Sequence, residues 1–359
     1  MQNIHKENNP KKAIALISGG LDSMLAAKLL LEQNIHVEGI NFFTGFCVEG
    51  HTHAIRKKDK NKAKRNNALW VAEQLGIKLH IIDIVEEYKD IVINPKHGYG
   101  ANLNPCLDCK IFMLKKAHEW IKANNFDFII TGEVIGQRPK SQRKACMPIV
   151  AEKSGAEDLL LRPLSALNLE LTKPELEGWV DREKLLGFTG RSRKPQFALA
   201  EKFNIEDYAQ PAGGCCFLTD KAYSNKLQDL WTNRNSKHYE LDDIMLLKVG
   251  RHIRPKDNFK IIVAREEGEN NFLQGYKKNF ISLELENTGG PIALIDGKIE
   301  SDQDLELACK ILGRFSKAES NDIVETKVTF KPEEGAIKSK IVQTHPFKAE
   351  EVLEAWYLK

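Results

Sequence analysis

The chain has 359 residues, which is long for a single hydrophobic core and predicts two or three domains. Hydrophobic residues make up 42% and charged residues 29%, as in soluble globular proteins, and no apolar run is long enough to cross a bilayer. The N-terminal residues are polar and lack the apolar centre of a signal peptide, so we expect a cytoplasmic protein with no membrane partner.

Basic residues are concentrated in four segments, although the formal net charge is only +3. Each segment alone is also compatible with a solvated surface, but four on one chain predict a polyanionic partner. The segments are residues 51–66, 138–144, 191–194 and 251–256.

Short apolar segments alternate with amphipathic segments over the first 131 residues. This alternation predicts an α/β domain built on a doubly wound parallel sheet. Such a sheet binds ligands at the carboxyl ends of its strands, where Asn41 and Gly132 are expected. We predict strands at residues 13–17, 36–42, 78–85 and 126–131, and helices at residues 21–33, up to about residue 75, and at 108–123.

Residues 18–23, with the sequence Ser-Gly-Gly-Leu-Asp-Ser, join the first predicted strand to the first predicted helix. Glycines let backbone N–H groups approach a phosphate closely, and the helix N-terminus adds its positive end. The loop lacks the lysine of a Walker loop and the spacing of a dinucleotide fingerprint. A tight turn with a serine cap is the alternative. The candidate nucleotide contacts are Ser18, Gly19, Gly20, Asp22, which can also hold Mg²⁺, and Ser23.

The composition of the chain changes twice after the predicted sheet. Residues 136–220 are rich in Arg, Lys and Pro and indicate an elaboration of the first domain, with a helix at 173–186. From about residue 240 we predict a separate α+β domain, with strands at 244–249, 260–264, 291–295 and 324–330 and helices at 304–315 and 349–358. The predicted boundaries are a polar tail at 1–12, the first domain at 13–220, a linker helix at 221–239 and the C-terminal domain at 240–359.

The sequence of residues 18–23 resembles the signature of the PP-loop (N-type) ATP pyrophosphatases. Members of this family cleave ATP between the α and β phosphates and transfer AMP to a substrate. The resemblance implies ATP and Mg²⁺ as cofactors, bound by this loop, and the expected place of Asn41 and Gly132 at strand ends makes them further candidate nucleotide contacts. It leaves the substrate open, because the family includes tRNA sulfurtransferases, lysidine synthases, GMP synthetase and asparagine synthetase.

Seven cysteines are an odd number, which argues against a disulfide scaffold in a reducing compartment. Residues 104–110 (Asn-Pro-Cys-Leu-Asp-Cys-Lys) and 213–219 (Gly-Gly-Cys-Cys-Phe-Leu-Thr) resemble the two cysteine motifs of the tRNA 2-thiouridine synthases. The resemblance places Cys109 at the reactive position and Cys216 at the partner position. Stretches between the two motifs resemble the same family in the same order, at residues 162–165 and 171–175.

Cys106 departs from that family pattern, because it adds a Cys-x-x-Cys pair to the distant cysteine. Cys106, Cys109 and Cys216, with Cys215 as the alternative, can hold a [4Fe–4S] cluster with one open iron, as in several tRNA-thiolating PP-loop enzymes. Two other interpretations stay open: a persulfide on Cys109 resolved by Cys216, and a structural zinc site. The isolated cysteines are interpreted as buried or incidental thiols, namely Cys47, Cys146 and Cys309.

Two basic motifs are candidates for RNA binding. Arg138 and Arg143 follow a predicted strand end and can contact the phosphates of ATP or of RNA, with a solvated loop as the alternative. About residues 240–350 resemble the RNA-binding domain of the NFACT class, which is attached to some PP-loop proteins; an oligomerisation domain is the alternative. The resemblance implies that Arg251, His252 and Arg254 are candidate RNA contacts.

Together these motifs predict an ATP-dependent tRNA sulfurtransferase that adenylates a uridine carbonyl and replaces its oxygen with sulfur. Cys109, Cys216 and Asp22 are the predicted catalytic residues. The expected partners are tRNA and a sulfur donor, which can be a cysteine desulfurase, a relay protein or sulfide. The motifs of the first domain favour 2-thiouridine, and the whole architecture favours 4-thiouridine. The alternatives are another AMP-forming PP-loop ligase, of amide or lysidine type, and a non-catalytic RNA-binding protein.

Overall fold

The computed structural model describes residues 10–48, 66–209, 215–330 and 338–359. They form two units, of which the first ends at Cys215 and the second begins at Cys216. The basic segment at residues 51–65 lies outside the described residues, and its polyanionic partner stays a prediction. In the described part of the chain, no helix combines the length and the apolar character that spanning a membrane requires.

The first unit is built on a parallel sheet whose strands are β1 (Lys12–Leu16), β2 (His36–Phe43), β3 (Leu79–Asp83), β4 (Phe128–Ile130) and β5 (Leu160–Leu161). All neighbouring strands are parallel, and their order is β3-β2-β1-β4-β5. The predicted doubly wound α/β fold is therefore confirmed. Its helices are α1 (Leu21–Leu31), α2 (Asn67–Leu75), α3 (Val85–Ile93), α4 (Cys106–Asn124), α5 (Cys146–Ser154), α6 (Lys173–Leu176) and α7 (Lys194–Lys202).

Strand β1 is apolar because side chains from helices cover both of its faces. Ala13 and Ala15 belong to the hydrophobic cluster that includes Met24 of α1, whereas Ile14 belongs to the cluster that includes Leu114 of α4. This is the alternation that a strand with covered faces requires. Since β1 lies between β2 and β4, the direction of strand addition reverses at β1, and such a switch point opens a crevice at the carboxyl end of the strand.

The helix predicted at residues 173–186 is much shorter than expected. Helix α6 ends at Leu176, and only a 3₁₀ turn at Arg182–Lys184 follows it. Gly178 has a φ of +66°, a left-handed conformation that stops an α-helix. The N–H groups of Trp179 and Val180 then both turn back to the carbonyl of Pro174, at 2.9 and 3.0 Å.

The second unit contains an antiparallel sheet, which confirms the predicted α+β class. Its strands are β6 (Arg251–Lys256), β7 (Phe259–Val263), β8 (Ile281–Leu285), β9 (Ala293–Gly297), β10 (Val324–Thr329) and β11 (Ser339–Thr344), in the order β11-β10-β8-β9-β7-β6. Helix α11 packs its apolar face on the sheet through residues such as Leu305 and Leu312. The helices are α8 (Lys221–Asn233), α9 (Leu241–Leu246), α10 (Glu267–Gln274) and α11 (Asp302–Gly313).

Two predicted elements of the second unit are wrong. The first half of the strand expected at residues 244–249 belongs instead to the helix α9, which a reciprocal capping box between Glu240 and Asp243 initiates, and a turn follows it. A short run of apolar residues suits a buried helical turn as well as a strand, so its pattern did not decide between them. The helix expected at 349–358 consists of two 3₁₀ turns, Ala349–Glu351 and Glu354–Trp356.

Gly132 lets the end of β4 approach the first turn of α1. A Cβ atom at this position would lie 2.4 Å from the carbonyl carbon of Asp22 and 2.5 Å from the nitrogen of Ser23. Both contacts are with backbone, which cannot move aside without displacing the helix. The glycine is therefore required by space at this position.

Replacing Gly132 by Ala should destabilise the first unit by about 1–3 kcal/mol, the usual cost of overpacking. The measurement is the thermal unfolding of the purified chain, followed by calorimetry. Gly275→Ala is the control, because a Cβ atom there meets nothing closer than the carbonyl of Phe272 at 3.4 Å. Equal unfolding temperatures of the two variants would contradict the close contact between Gly132 and the first turn of α1.

Candidate active site

The loop between β1 and α1 presents backbone N–H groups at the carboxyl edge of the parallel sheet. Gly20 is the N-cap of α1 in an extended conformation (φ −92°, ψ 158°), and no side chain caps the helix. Gly19 has a φ of +80°, and a Cβ atom there would lie 2.7 Å from the Cβ atom of Asn67. An uncapped helix N-terminus that follows two glycines suits the binding of a phosphate group.

Two serines close this loop on itself. The backbone N–H of Ser18 donates to Ser23 Oγ at 3.3 Å, and Ser23 Oγ donates to the carbonyl of Gly20 at 2.8 Å. These bonds fix the curvature of the loop while the first-turn amides of α1 keep their direction. The structure thus brings the predicted loop residues into a single turn, and their contact with a nucleotide stays a prediction.

The two carboxylate oxygens of Asp22 have different surroundings. Gln137 Nε2 donates to Oδ2 at 2.6 Å, and Arg193 Nη2 lies 3.7 Å from the same oxygen. The other oxygen, Oδ1, is buried and accepts no hydrogen bond from the described residues. A buried carboxylate oxygen without a partner is costly, and Mg²⁺ prefers oxygen ligands of this kind. Asp22 Oδ1 therefore fits the predicted magnesium site.

Asn41 and Gly132 support the loop from either side of β1. Asn41 Nδ2 donates to the carbonyl of Ile17 at 2.6 Å, so this amide holds the segment between β1 and the loop. Gly132 contacts the first turn of α1 as described above. The structure brings both predicted residues to the loop, and whether they also contact a nucleotide remains to be tested.

The Cys-x-x-Cys pair lies at the N-terminus of α4. Cys106 is the first residue of this helix and Cys109 follows one turn later, so both side chains lie at the same end. The side chain of Asn104 is hydrogen-bonded to Cys106, and that of Tyr88 is hydrogen-bonded to Cys109. Each thiol therefore has a polar neighbour that can stabilise its thiolate.

Asp108, which lies between the two cysteines, fixes the segment that leads into α4. Its Oδ2 accepts from the backbone N–H of His97 at 2.9 Å, and its Oδ1 lies 2.8 Å from His97 Nδ1. Lys153 Nζ lies 2.8 Å from the other ring nitrogen of His97 and can donate to it. Because Asp108 is buried, this chain of bonds orients the end of the helix that carries the thiols.

Cysteines from three segments of the first unit form one group, which we call the thiol cluster: Cys47, Cys106, Cys109 and Cys215. Burial raises the pKa of Cys109 to about 12, with a smaller contribution from the negative charge that the other three cysteines carry when ionised. Burial and Cys215 also raise the pKa of Cys106. The N–H of Val48 donates to the carbonyl of Cys215 at 3.2 Å, which holds Cys215 beside the segment of Cys47. Cys106 and Cys109 are therefore neutral thiols at physiological pH.

Cys216 begins the second unit, where its thiol lies close to Tyr223. Burial raises the pKa of Tyr223 well above its ordinary value, and the charge of Cys216 adds to the rise. The structure thus assembles Cys215, the alternative of the sequence motif, with Cys106 and Cys109. The partner role of Cys216 stays a prediction from the motif alone.

The described thiols do not fit the metal centre that the Cys-x-x-Cys pair predicts. Among the residues that the structure describes, no three His, Cys, Asp or Glu side chains are arranged to hold a metal ion.

The basic loop after β4 lies near the thiol cluster. Arg138 and Lys140 each lower the pKa of Cys106 through their positive charge, which places both charges near this thiol. Arg143 is exposed at the surface. A polyanion bound by Arg138 would therefore be close to the cysteines, as the RNA-binding prediction requires.

The candidate RNA contacts of the second unit are largely engaged within the fold. Arg254 Nη2 donates to Asp229 Oδ2 at 2.8 Å, and the Arg251 guanidinium lies 4.9 Å from the ring centre of Phe315. His252 is only 1% exposed, so it is excluded as an RNA contact in this conformation. Arg251 and Arg254 stay predictions.

Comparison with known proteins finds a family model that matches part of each unit. Residues 11–171 match the family model of the tRNA methyl transferase HUP domain, and residues 250–357 match that of the NFACT protein RNA binding domain. The chain therefore contains a segment similar to this HUP domain, followed by a segment similar to the NFACT RNA-binding domain. Both resemblances drawn from the sequence are confirmed.

Three curated relatives of the chain are each described as tRNA-specific 2-thiouridylase MnmA. The protein from Petrotoga mobilis is 34% identical over 65% of this chain and 62% of its own length. That from Marinomonas sp. is 28% identical over 62% of this chain and 53% of its own. The protein from Mesoplasma florum is 27% identical over 68% of this chain and 64% of its own length. The chain thus spans less than two thirds of each of these relatives.

Sequence reasoning missed several residues of the site. Tyr88 and Gln137 have no motif of their own, and only the fold brings them to Cys109 and Asp22. Cys47 was interpreted as incidental, yet it follows the end of β2 at the same edge of the sheet. That position was the available signal, because ligands bind at the carboxyl ends of parallel strands.

Alkylation of the reduced protein at neutral pH should label Cys215 before Cys109, because Cys215 is exposed and the pKa of Cys109 is raised to about 12. Labelling of Cys109 should rise about tenfold per pH unit from neutral pH upward, as the thiolate fraction does. Mass spectrometry of iodoacetamide-treated peptides measures both rates.

Cys309 is the internal control for that experiment, since it is buried in the second unit and its pKa is also raised to about 12. It should stay unlabelled until the unit unfolds. Equal labelling of Cys109 and Cys215 at neutral pH would contradict the described burial.

Proposed function

We propose that this protein is an ATP-dependent tRNA sulfurtransferase that replaces a carbonyl oxygen of uridine with sulfur. The observation that carries the proposal is the presence, in one unit, of the thiol cluster and of an open loop at residues 18–23, which we call the phosphate loop. Lys110 Nζ, next to Cys109, lies 3.6 Å from Glu133 Oε1, and Glu133 follows Gly132 at the phosphate loop. The names of the relatives and the NFACT-type domain support an RNA substrate.

In the first proposed step, the uridine carbonyl oxygen attacks the α-phosphorus of ATP and pyrophosphate leaves. The carbonyl oxygen is a poor leaving group by itself, and adenylation makes it a phosphate-stabilised one. The first-turn amides of α1 and the hydroxyl of Ser18 stabilise the charge on the departing pyrophosphate. Asp22 Oδ1 is the atom that would hold Mg²⁺, which neutralises phosphate charge when bound.

In the second proposed step, the terminal sulfur of a persulfide on Cys109 attacks the adenylated carbon, and AMP leaves. A second thiol then attacks the Cys109 sulfur, which releases the thiocarbonyl and forms a disulfide. Cys215 is the thiol that the thiol cluster offers for this attack. The persulfide sulfur gains two electrons, and the two cysteines supply them. An external dithiol reductant must restore the thiols.

The persulfide itself requires a sulfur donor, and a cysteine desulfurase or a relay protein provides one of the right chemistry. The base must leave its stack to reach a site at the edge of a sheet. Both 2-thiouridine and 4-thiouridine are accessible to this chemistry, because the two carbonyls are activated in the same way. The names of the relatives favour 2-thiouridine.

The [4Fe–4S] cluster is the competing source of sulfur chemistry at the same cysteines. A persulfide relay needs only thiols that lie near one another, and the mutual charge effects among the cysteines of the thiol cluster support this arrangement. A cluster needs three thiolates around one centre, which the described residues do not form. We therefore propose the relay, and iron and sulfide content distinguishes it from a cluster.

Asp22→Ala and Cys109→Ala should each reduce thionucleoside formation on tRNA by at least about a hundredfold, because each removes a group used in a chemical step. Asp22→Ala should also stop pyrophosphate release, whereas Cys109→Ala should retain it. The assay supplies ATP, Mg²⁺, tRNA and a persulfide donor, and mass spectrometry of digested tRNA detects the product.

Cys146→Ala is the matched control, since this cysteine of the first unit lies outside the thiol cluster as described. Cys215→Ala and Cys216→Ala decide which thiol resolves the persulfide. Unchanged thiolation in Cys109→Ala would refute the proposal and favour a ligase that needs no cysteine. Absence of tRNA-dependent pyrophosphate release from the wild type would favour a non-catalytic RNA-binding protein.

Anaerobically purified protein should contain no stoichiometric iron or acid-labile sulfide, and its visible spectrum should lack a broad iron–sulfur absorbance. The physical reason is geometric, because the described residues do not bring three ligating side chains around one centre. A visible band that disappears in Cys106→Ala would overturn the relay and establish a cluster. Cys146→Ala again serves as the control.

A further inference from the structure

Arg193 differs from the basic residues beside it. Arg191 and Lys194 are exposed, as a surface that binds RNA would require. The side chain of Arg193 is only 21% exposed and is directed to Asp22, with Nη2 3.7 Å from Oδ2. This basic segment therefore divides into a surface part and one arginine at the phosphate loop.

Two glutamines hold Asp22 independently of Arg193. Gln196 Nε2 donates to Gln137 Oε1 at 2.6 Å, which leaves the amide of Gln137 to donate to Asp22 Oδ2, also at 2.6 Å. Gln196 is 1% exposed, so the chain of amides starts from a fixed point in the core. The position of the carboxylate therefore does not depend on Arg193.

The contact between Arg193 and Asp22 is loose by comparison. At 3.7 Å the two groups attract each other but lie beyond the range of a good hydrogen bond. Guanidinium groups bind phosphate oxygens through paired, charge-assisted hydrogen bonds, which are stronger than a contact of this length. A nucleotide that binds at the N-terminus of α1 brings phosphate oxygens to the loop that carries Asp22.

We infer that Arg193 is a ligand of the β- and γ-phosphates of the nucleotide, and that it rests on Asp22 when no nucleotide is bound. The inference rests on the ATP use of the proposed function and assigns a residue to it. On binding, Arg193 moves from the carboxylate to the phosphates, and Asp22 keeps its place through Gln137. Asp22 then faces any bound cation with its full charge.

The test measures binding rather than turnover. Equilibrium dialysis of the full chain uses α,β-methylene-ATP, which cannot be split at the relevant bond, and AMP, which lacks both outer phosphates. Arg193→Gln should weaken binding of the triphosphate about 10- to 100-fold, the loss expected for charge-assisted hydrogen bonds, and change AMP binding less than about twofold. A purely structural role would weaken both ligands alike.

Arg191→Gln is the matched control, being two residues away, exposed and of the same charge; it should bind both ligands as the wild type does. Arg193→Lys keeps the charge without the paired geometry and should lose several-fold affinity; it replaces Arg193→Gln if that variant does not fold. Wild-type affinity of the folded Arg193 variant for the triphosphate, or equal loss of triphosphate and AMP, overturns the inference.

The same measurement separates this inference from the proposed function. A wild-type protein that binds the triphosphate through Arg193 but never thiolates tRNA leaves the inference standing and refutes the function. If the wild type thiolates tRNA and the Arg193→Gln variant binds the nucleotide as tightly as the wild type, the function stands and the inference is refuted.

Discussion

The close contact between Gly132 and the first turn of α1 is the constraint on which the first unit depends. It fixes where β4 ends relative to the phosphate loop, and it leaves no room for a side chain. The next residue, Glu133, is buried and reaches Arg162 Nε at 3.1 Å and Lys110 Nζ at 3.6 Å. The end of β4 therefore contacts α1, α4 and the segment after β5. These contacts bring the loop at residues 18–23 and the thiol cluster to the same edge of the sheet.

Electrostatics divides that edge into two kinds of environment. Burial alone would raise the pKa of Glu133, but the charges of Lys110 and Arg162 outweigh it and hold that pKa below its ordinary value. A few residues away, no comparable charge compensates the burial of Cys109, and its thiol stays protonated. Glu133 is therefore charged at neutral pH, whereas the thiol of Cys109 is not.

The sequence identified those parts of the site that are local in the chain. The turn from β1 into α1 follows from an apolar strand, two glycines and an amphipathic helix, and the Cys-x-x-Cys pair needs only helical spacing. Contacts between distant segments could not be found in this way. Gln196 reaches Asp22 through Gln137 only because α7 folds back onto the loop, and no local pattern encodes that path.

The local sequence pattern also predicted the wrong secondary structure where the backbone conformation of one or two residues decided it. Gly178 adopts a left-handed conformation that ends α6, although the residues around it have helical periodicity. A capping box turned the apolar run near Ile244 into a helix rather than a strand. Both errors arise where one or two residues outweigh the average tendency of their neighbours.

Cys215 and Cys216 are joined by a single peptide bond, and the backbone at Cys216 is extended, with φ −137° and ψ 138°. Consecutive side chains of an extended chain point in opposite directions, so only one of these thiols can face a given surface. A slip of one residue would exchange them without altering the composition of the segment. The two neighbouring cysteines therefore place one thiol on each side of the backbone. Backbone register, rather than residue type, decides which of them faces a given surface.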